Sequence, residues 1–135
     1  MEKIFENSFG KAFYNKNTAM VHESYDGVVN PELAVEVVQS VKDFGENNKI
    51  KGDIINLTNV SGTFTGINDY LAKEFFPVLI ERGCVAFAMI LSNDIFTEFA
   101  ANSLVKKLGA AEVQLFNSLE EGTKWVNDRV SALDK

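Results

Sequence analysis

Residues 84–91, CVAFAMIL, are apolar throughout and show no polar/apolar alternation. A strand of that kind needs cover on both faces, which puts it at the centre of a parallel sheet with helices on either side. Helical periodicity is weak across it, and Gly83 and the Ser92-Asn93-Asp94 cluster bound it. This run commits the chain to an α/β architecture, and the remaining segments have to be read as its partners.

Ile54, Ile55 and Leu57 form a second apolar strand, and Glu112 to Phe116 a third of parallel type. The N-terminal part reads differently. Lys3 to Phe9 and Lys11 to Asn15 are rich in Phe and Tyr. Thr18 to Tyr25 alternates, with Ala19, Val21, Glu23 and Tyr25 on one side and Met20, His22 and Ser24 on the other. Antiparallel strands are expected there, with a turn at Asn15-Lys16-Asn17.

Helices are expected between the later strands. Asn30 as N-cap and Pro31 at the first helical position open one. Its stripe is Leu33, Ala34, Val37, Val38, Val41 and Phe44, with Gly45 as a left-handed stop. A second runs from about Thr65 to Arg82, with Ile67, Leu71, Phe75, Val78 and Leu79 buried and a kink or early end at Pro77. A third spans about Asp94 to Leu108, with Phe96, Phe99, Ala100, Leu104 and Leu108 buried and Gly109 as its stop. Ser118 to Glu121 reads as a capping box opening a last helix with Trp125 and Val126. The order predicted is a mixed sheet: two or three antiparallel strands, then α-β-α-β-α-β-α. One domain over residues 1–130 is expected, with a frayed tail at 131–135.

Composition narrows the function classes. Of 135 residues, 46% are hydrophobic, so a packed core is affordable. The net charge is −6 and no Lys/Arg stripe exists, which argues against nucleic acid as a partner. No apolar run reaches bilayer-spanning length, and the first residues lack the apolar core of a signal peptide. The single cysteine, Cys84, allows no intrachain disulfide and suits a cytoplasmic, reducing location.

Chemistry-bearing residues are sparse. His22 is the only histidine, with no second His to join it in a metal site. Cys84 opens a buried strand, where a thiol is inert. Glu23, Asp26, Asp53, Asp69 and Asp94 show no acid/base spacing, although a cleft shared by Glu23, His22 and Asp53 would support an enzyme. No catalytic residue, metal or cofactor is expected. The candidate working surface is the strand-to-helix loop, Thr58, Asn59, Ser61, Thr63, Phe64 and Thr65, with Ser92 and Asn93, because open α/β sheets receive ligands at the carboxyl ends of their strands. The glycines flanking Thr63 to Thr65 invite a phosphate reading, but the lysine of a P-loop is missing, and Thr65 as N-cap explains the residues. Ser61 is a candidate phosphosite or a plain turn serine. Phe64 either anchors a partner or tucks into the core.

Four stretches carry a family resemblance: SYDGVVNPELAVEVV, DIINLTNVSG, ERGCVAFAMILSNDIF and LGAAEVQLFNSLEEGTKWV. In order and across nearly the whole chain, they resemble the STAS-like (SpoIIAA-like) group, which includes bacterial anti-sigma-factor antagonists and relatives with lipid-carrier-like topology. The phosphorylatable antagonists carry Asp-Ser-Ser/Thr-Gly at the second helix. Ser61-Gly62 keeps only a fragment of that motif, without the aspartate. The resemblance implies a non-enzymatic regulatory domain that binds a protein partner. The alternative it implies is a carrier for a small apolar or lipid-like ligand. A homodimer is a further expectation, to be judged from exposed Phe or Val on the N-terminal strands.

Overall fold

The alternating N-terminal sequence folds as an antiparallel meander in the computed structural model, which describes residues 1–134. Its strands are β1 (Glu2–Glu6), β2 (Gly10–Asn15) and β3 (Met20–Val28). Then come α1 (Pro31–Phe44), β4 (Gly52–Ser61), an irregular helix α2 (residues 65–81), β5 (Ala86–Ile90), α3 (Ile95–Leu108), β6 (Val113–Phe116) and α4 (Leu119–Ser131). The six strands lie in chain order in one mixed sheet, and β3 to β6 are mutually parallel. The expected fold class is therefore the observed one.

Strand order explains the layering. Parallel strands added successively in one direction through right-handed crossovers place every crossover helix on the same face. α1, α2 and α3 accordingly pack on one side, over Val21, Ile55, Leu57, Phe87 and Met89. α4 alone covers the other side, over Met20, Ile54, Ala86, Ala88 and Ile90. All five residues of β5 are buried between the layers, as the unbroken apolar run requires. Gly122 lets α4 approach closely, since a Cβ there would collide with Ile90 and Ala88.

Local signals decide most boundaries. The Asn30 side chain accepts from the Leu33 amide, and Pro31 follows it. Gly109 ends α3 with φ +62°. Ser118 accepts from the Glu121 amide at 3.3 Å and caps α4.

Other local expectations are corrected. Gly45 follows α1 with φ −68°, an ordinary right-handed conformation that any residue adopts. Thr65 caps nothing: it is already the first residue of a 3-10 turn, and its amide donates to the Thr63 hydroxyl. The helix does not end early at Pro77. Pro77 has no N–H for the Lys73 carbonyl, and the chain absorbs this in a π segment, Leu71–Phe75, where the Phe76 amide reaches back to Leu71. At the C-terminus α4 runs to Ser131 and a 3-10 turn, Ala132–Asp134, follows it. Lys135 lies outside the described residues.

Candidate functional site

The site starts from β4, which outruns β5. Only Gly52 to Asn56 pair with β5, while the rest of the strand, through Ser61, pairs with β3 alone. The chain then has to turn back, and Gly62 makes the turn with φ +90°, a conformation glycine tolerates best. Both of its backbone groups are held by α3. Its amide donates to Asp94 Oδ1 at 3.3 Å, and its carbonyl accepts from the Thr97 hydroxyl at 2.7 Å. Asp94 also caps α3, accepting from the Phe96 and Thr97 amides at 3.0 Å. The Thr97 amide and these other donors hold the Asp94 carboxyl below its ordinary pKa, so it is anionic at neutral pH.

This brace brings two of the expected loops together and splits the candidate rim. Ser61, Ser92 and Asn93 lie at the carboxyl edge of the parallel strands, with the Ser61 carbonyl taking the Val29 amide at 2.9 Å. Thr58 and Asn59 are exposed on the overhanging end of β4. Thr58 is tied to Asn56 through its amide and hydroxyl, and Asn59 stands opposite Asp26. Thr63 and Thr65 bond to each other and fold back along α3, placing Thr65 beside Asn68, Ser103 and Lys106. Phe64 turns inward and is buried in the main core.

The exposed aromatics lie elsewhere. Phe96 and Phe99, expected inside, are 63% and 65% exposed, and Ile95 is 72% exposed. Thr97, Ala100, Ala101 and Leu104 take the buried face of α3 instead. Small residues there let the helix sit against its neighbours, and the bulky ones are rotated outward. Phe99 stands three residues from Phe96 and four from Ile95, so it joins them in one stripe. Val28, 75% exposed, stands across the Gly62 turn, its Cγ1 3.8 Å from where a Gly62 Cβ would sit. These exposed apolar groups gather at one edge of the sheet.

A second constellation lies inside. Register puts Val21 beside Asp53, so Asp53 and Glu23 share the face beneath α1 and α2, and both are buried. Tyr25 donates its hydroxyl to Glu23 Oε1 at 2.6 Å. As two anions, the carboxyls would leave Glu23 Oε2 and both Asp53 oxygens without a donor. Burial first, then the Glu23 charge, pushes the Asp53 pKa well up. The Glu23 pKa is also raised by burial, against hydrogen bonds from Asp53 and Tyr25. Both shifts favour the protonated forms, and a proton held between the two carboxyls would give these oxygens the donor they lack. His22 points to the opposite face, where burial lowers its pKa, so Glu23, His22 and Asp53 do not meet in one cleft. Burial likewise pushes up the pKa of the Cys84 thiol.

Above Glu23 and Tyr25 is an apolar cavity of about 50 Å³, walled by α1, α2 and the sheet, with Val38, Phe64, Leu71 and Met89 among its lining. No polar atom faces it. No helix among the described residues is long and apolar enough to cross a membrane, and no cluster of three or more His, Cys, Asp or Glu among them could hold a metal ion.

No protein-family model matches the chain, and neither does any curated protein.

Sequence reasoning missed the Ile95-Phe96-Phe99 stripe because α3 is apolar on nearly every side, so periodicity could not choose its buried face. It missed the Glu23–Asp53 pair because only the β3–β4 register joins them.

Proposed function

We propose that the chain is a STAS-like, non-enzymatic regulatory module that captures a protein partner at the carboxyl edge of its parallel strands. The observation that carries this reading is the stripe of Ile95, Phe96 and Phe99, facing solvent beside a Gly62 turn held on both backbone groups. Exposed large apolar groups on a rigid support are what a binding hot spot requires. The resemblance of DIINLTNVSG to the strand before the family's functional loop points to the same edge, and a buried, unreactive thiol suits a cytoplasmic location. Affinity capture from the native host tests the reading. A partner retained by the wild type is expected to be lost with Phe96→Ser/Phe99→Ser. Equal capture by both proteins would refute it.

The apolar cavity favours a second reading, a carrier of a small apolar ligand. At about 50 Å³ it is a third of the roughly 150 Å³ cavity that admits benzene, so α2 would have to move to admit a lipid chain. Native mass spectrometry after gentle purification separates the readings: a co-purified apolar molecule supports the carrier, and an apo mass does not.

A further inference from the structure

The docking edge has a charge pattern that the apolar stripe alone does not explain. Residues 26–33, 58–64, 91–99 and 116–122, which supply that edge, contain no Lys, Arg or His. They contain Asp26, Glu32, Asp94, Glu98, Glu120 and Glu121. Acids in the first turns of α1, α3 and α4 complement helix dipoles. Yet each helix N-terminus supplies only about half a positive charge. Three such ends leave most of the six carboxylates uncompensated. The β1–β2 turn also lies at this edge and brings it one cation, Lys11, which lines a pocket with Glu6, Asp26 and Asn59.

The opposite edge carries the cations. Lys16 lies in the β2–β3 turn, Lys49 and Lys51 precede β4, Arg82 follows α2, and Lys106 and Lys107 are in the last turn of α3. α3 spans roughly 20 Å, well beyond a Debye length of about 8 Å at physiological salt, so these charges do not neutralise the docking edge. One edge is mainly acidic with exposed apolar groups, and the other mixes the signs, with Asp43, Glu46, Glu81 and Glu112 among its cations and Lys107 paired to Asp69.

We infer that the partner segment captured at this edge is basic and amphipathic, with apolar side chains that cover Ile95, Phe96 and Phe99 and Lys or Arg that meet Glu32, Asp94 and Glu98. The inference rests on the docking reading and specifies its partner. Apolar contact supplies most of the affinity, and the uncompensated carboxylates supply steering and exclude acidic competitors.

The test uses fluorescence anisotropy with a synthetic amphipathic peptide of Leu and Lys, roughly 18 residues or five helical turns long. One comparison peptide replaces every Lys with Glu, and another replaces every Leu with Ser. The Leu/Lys peptide is expected to bind about tenfold tighter than either. Phe96→Ser/Phe99→Ser should weaken it about tenfold. Glu98→Lys, or raising salt from about 50 to about 500 mM, should weaken it about threefold. The inference is overturned if the Leu/Glu peptide binds equally well, or if the serine pair leaves Leu/Lys binding unchanged. It is also overturned if the pure protein self-associates through this stripe, seen in sedimentation as a dimer that the serine pair abolishes, because the occupant is then a second copy. A native partner lost with the serine pair but indifferent to Glu98→Lys and to salt would overturn the basic-partner inference and leave docking intact.

Discussion

The Thr97 hydroxyl donates to the Gly62 carbonyl at 2.7 Å, joining residues 35 apart in sequence and fixing the β4–α2 turn to the first turn of α3. Thr97 is fully buried, so the bond is shielded from water. Thr97→Val keeps the shape and leaves a carbonyl without its donor. It is expected to cost about 1–3 kcal/mol. Thermal unfolding would show this as a drop of roughly 3–5 °C per kcal/mol, with Thr97→Ser recovering most of it.

Gly62 and Gly66 make a matched pair. Gly62 has φ +90°, whereas Gly66 has an ordinary φ and open space around its missing Cβ. Gly62→Ala is expected to destabilise by about 1 kcal/mol and Gly66→Ala to be neutral or slightly stabilising. Urea midpoints for the two variants check the difference.

Phe64 is a core residue, so its truncation acts on stability first. Phe64→Ala is expected to cost about 3–5 kcal/mol, while Phe96→Ser and Phe99→Ser each stay within about 0.5 kcal/mol of wild type. Denaturant titration distinguishes them: a stable Phe64→Ala protein would contradict the packing described above.

The Glu23–Asp53 pair sets a pH dependence. Both carboxyls have raised pKa values in the folded state, chiefly through burial. A raised acid contributes full stability below the ordinary carboxylate pKa. That stability declines as pH rises from there toward the folded value, because the unfolded chain releases its proton first. Asp53→Asn keeps a hydrogen-bond donor beside Glu23 and cannot ionise. It is expected to gain stability relative to wild type as pH rises from about 4 to 8, flattening the profile. Unfolding midpoints across that range decide it, and parallel profiles for the two proteins would place the proton elsewhere.

These sites also show what a single sequence carries. CVAFAMIL identified a parallel strand covered on both faces, because only a two-sided burial environment accepts an unbroken apolar run, but β5 lies one in from the β6 edge and not at the centre of the sheet. Asn30-Pro31, Gly109 and Ser118 marked helix ends, because capping is a local hydrogen-bonding event. The choice between Phe64 and Phe96 as the outward aromatic was not local. Phe64 is surrounded by Gly and Thr, which left it open between a partner anchor and a core residue, and the structure buries it in the main core. Phe96 stands at helical spacing from Phe99, Ala100 and Leu104 and reads as buried with them, yet Ala100 and Ala101 occupy the packed face. The carboxyl pair was illegible for the same reason, since its members meet only once β3 and β4 have paired.

Site-specific photo-crosslinking in the native host probes the docking surface most directly. Phe96→p-benzoylphenylalanine places the reactive group on the apolar stripe, and Lys124→p-benzoylphenylalanine places it on the exposed side of α4. A discrete adduct with one protein from position 96, and none from position 124, is the expected result. No discrete adduct at position 96, or the same adducts from both positions, would contradict partner capture at this edge.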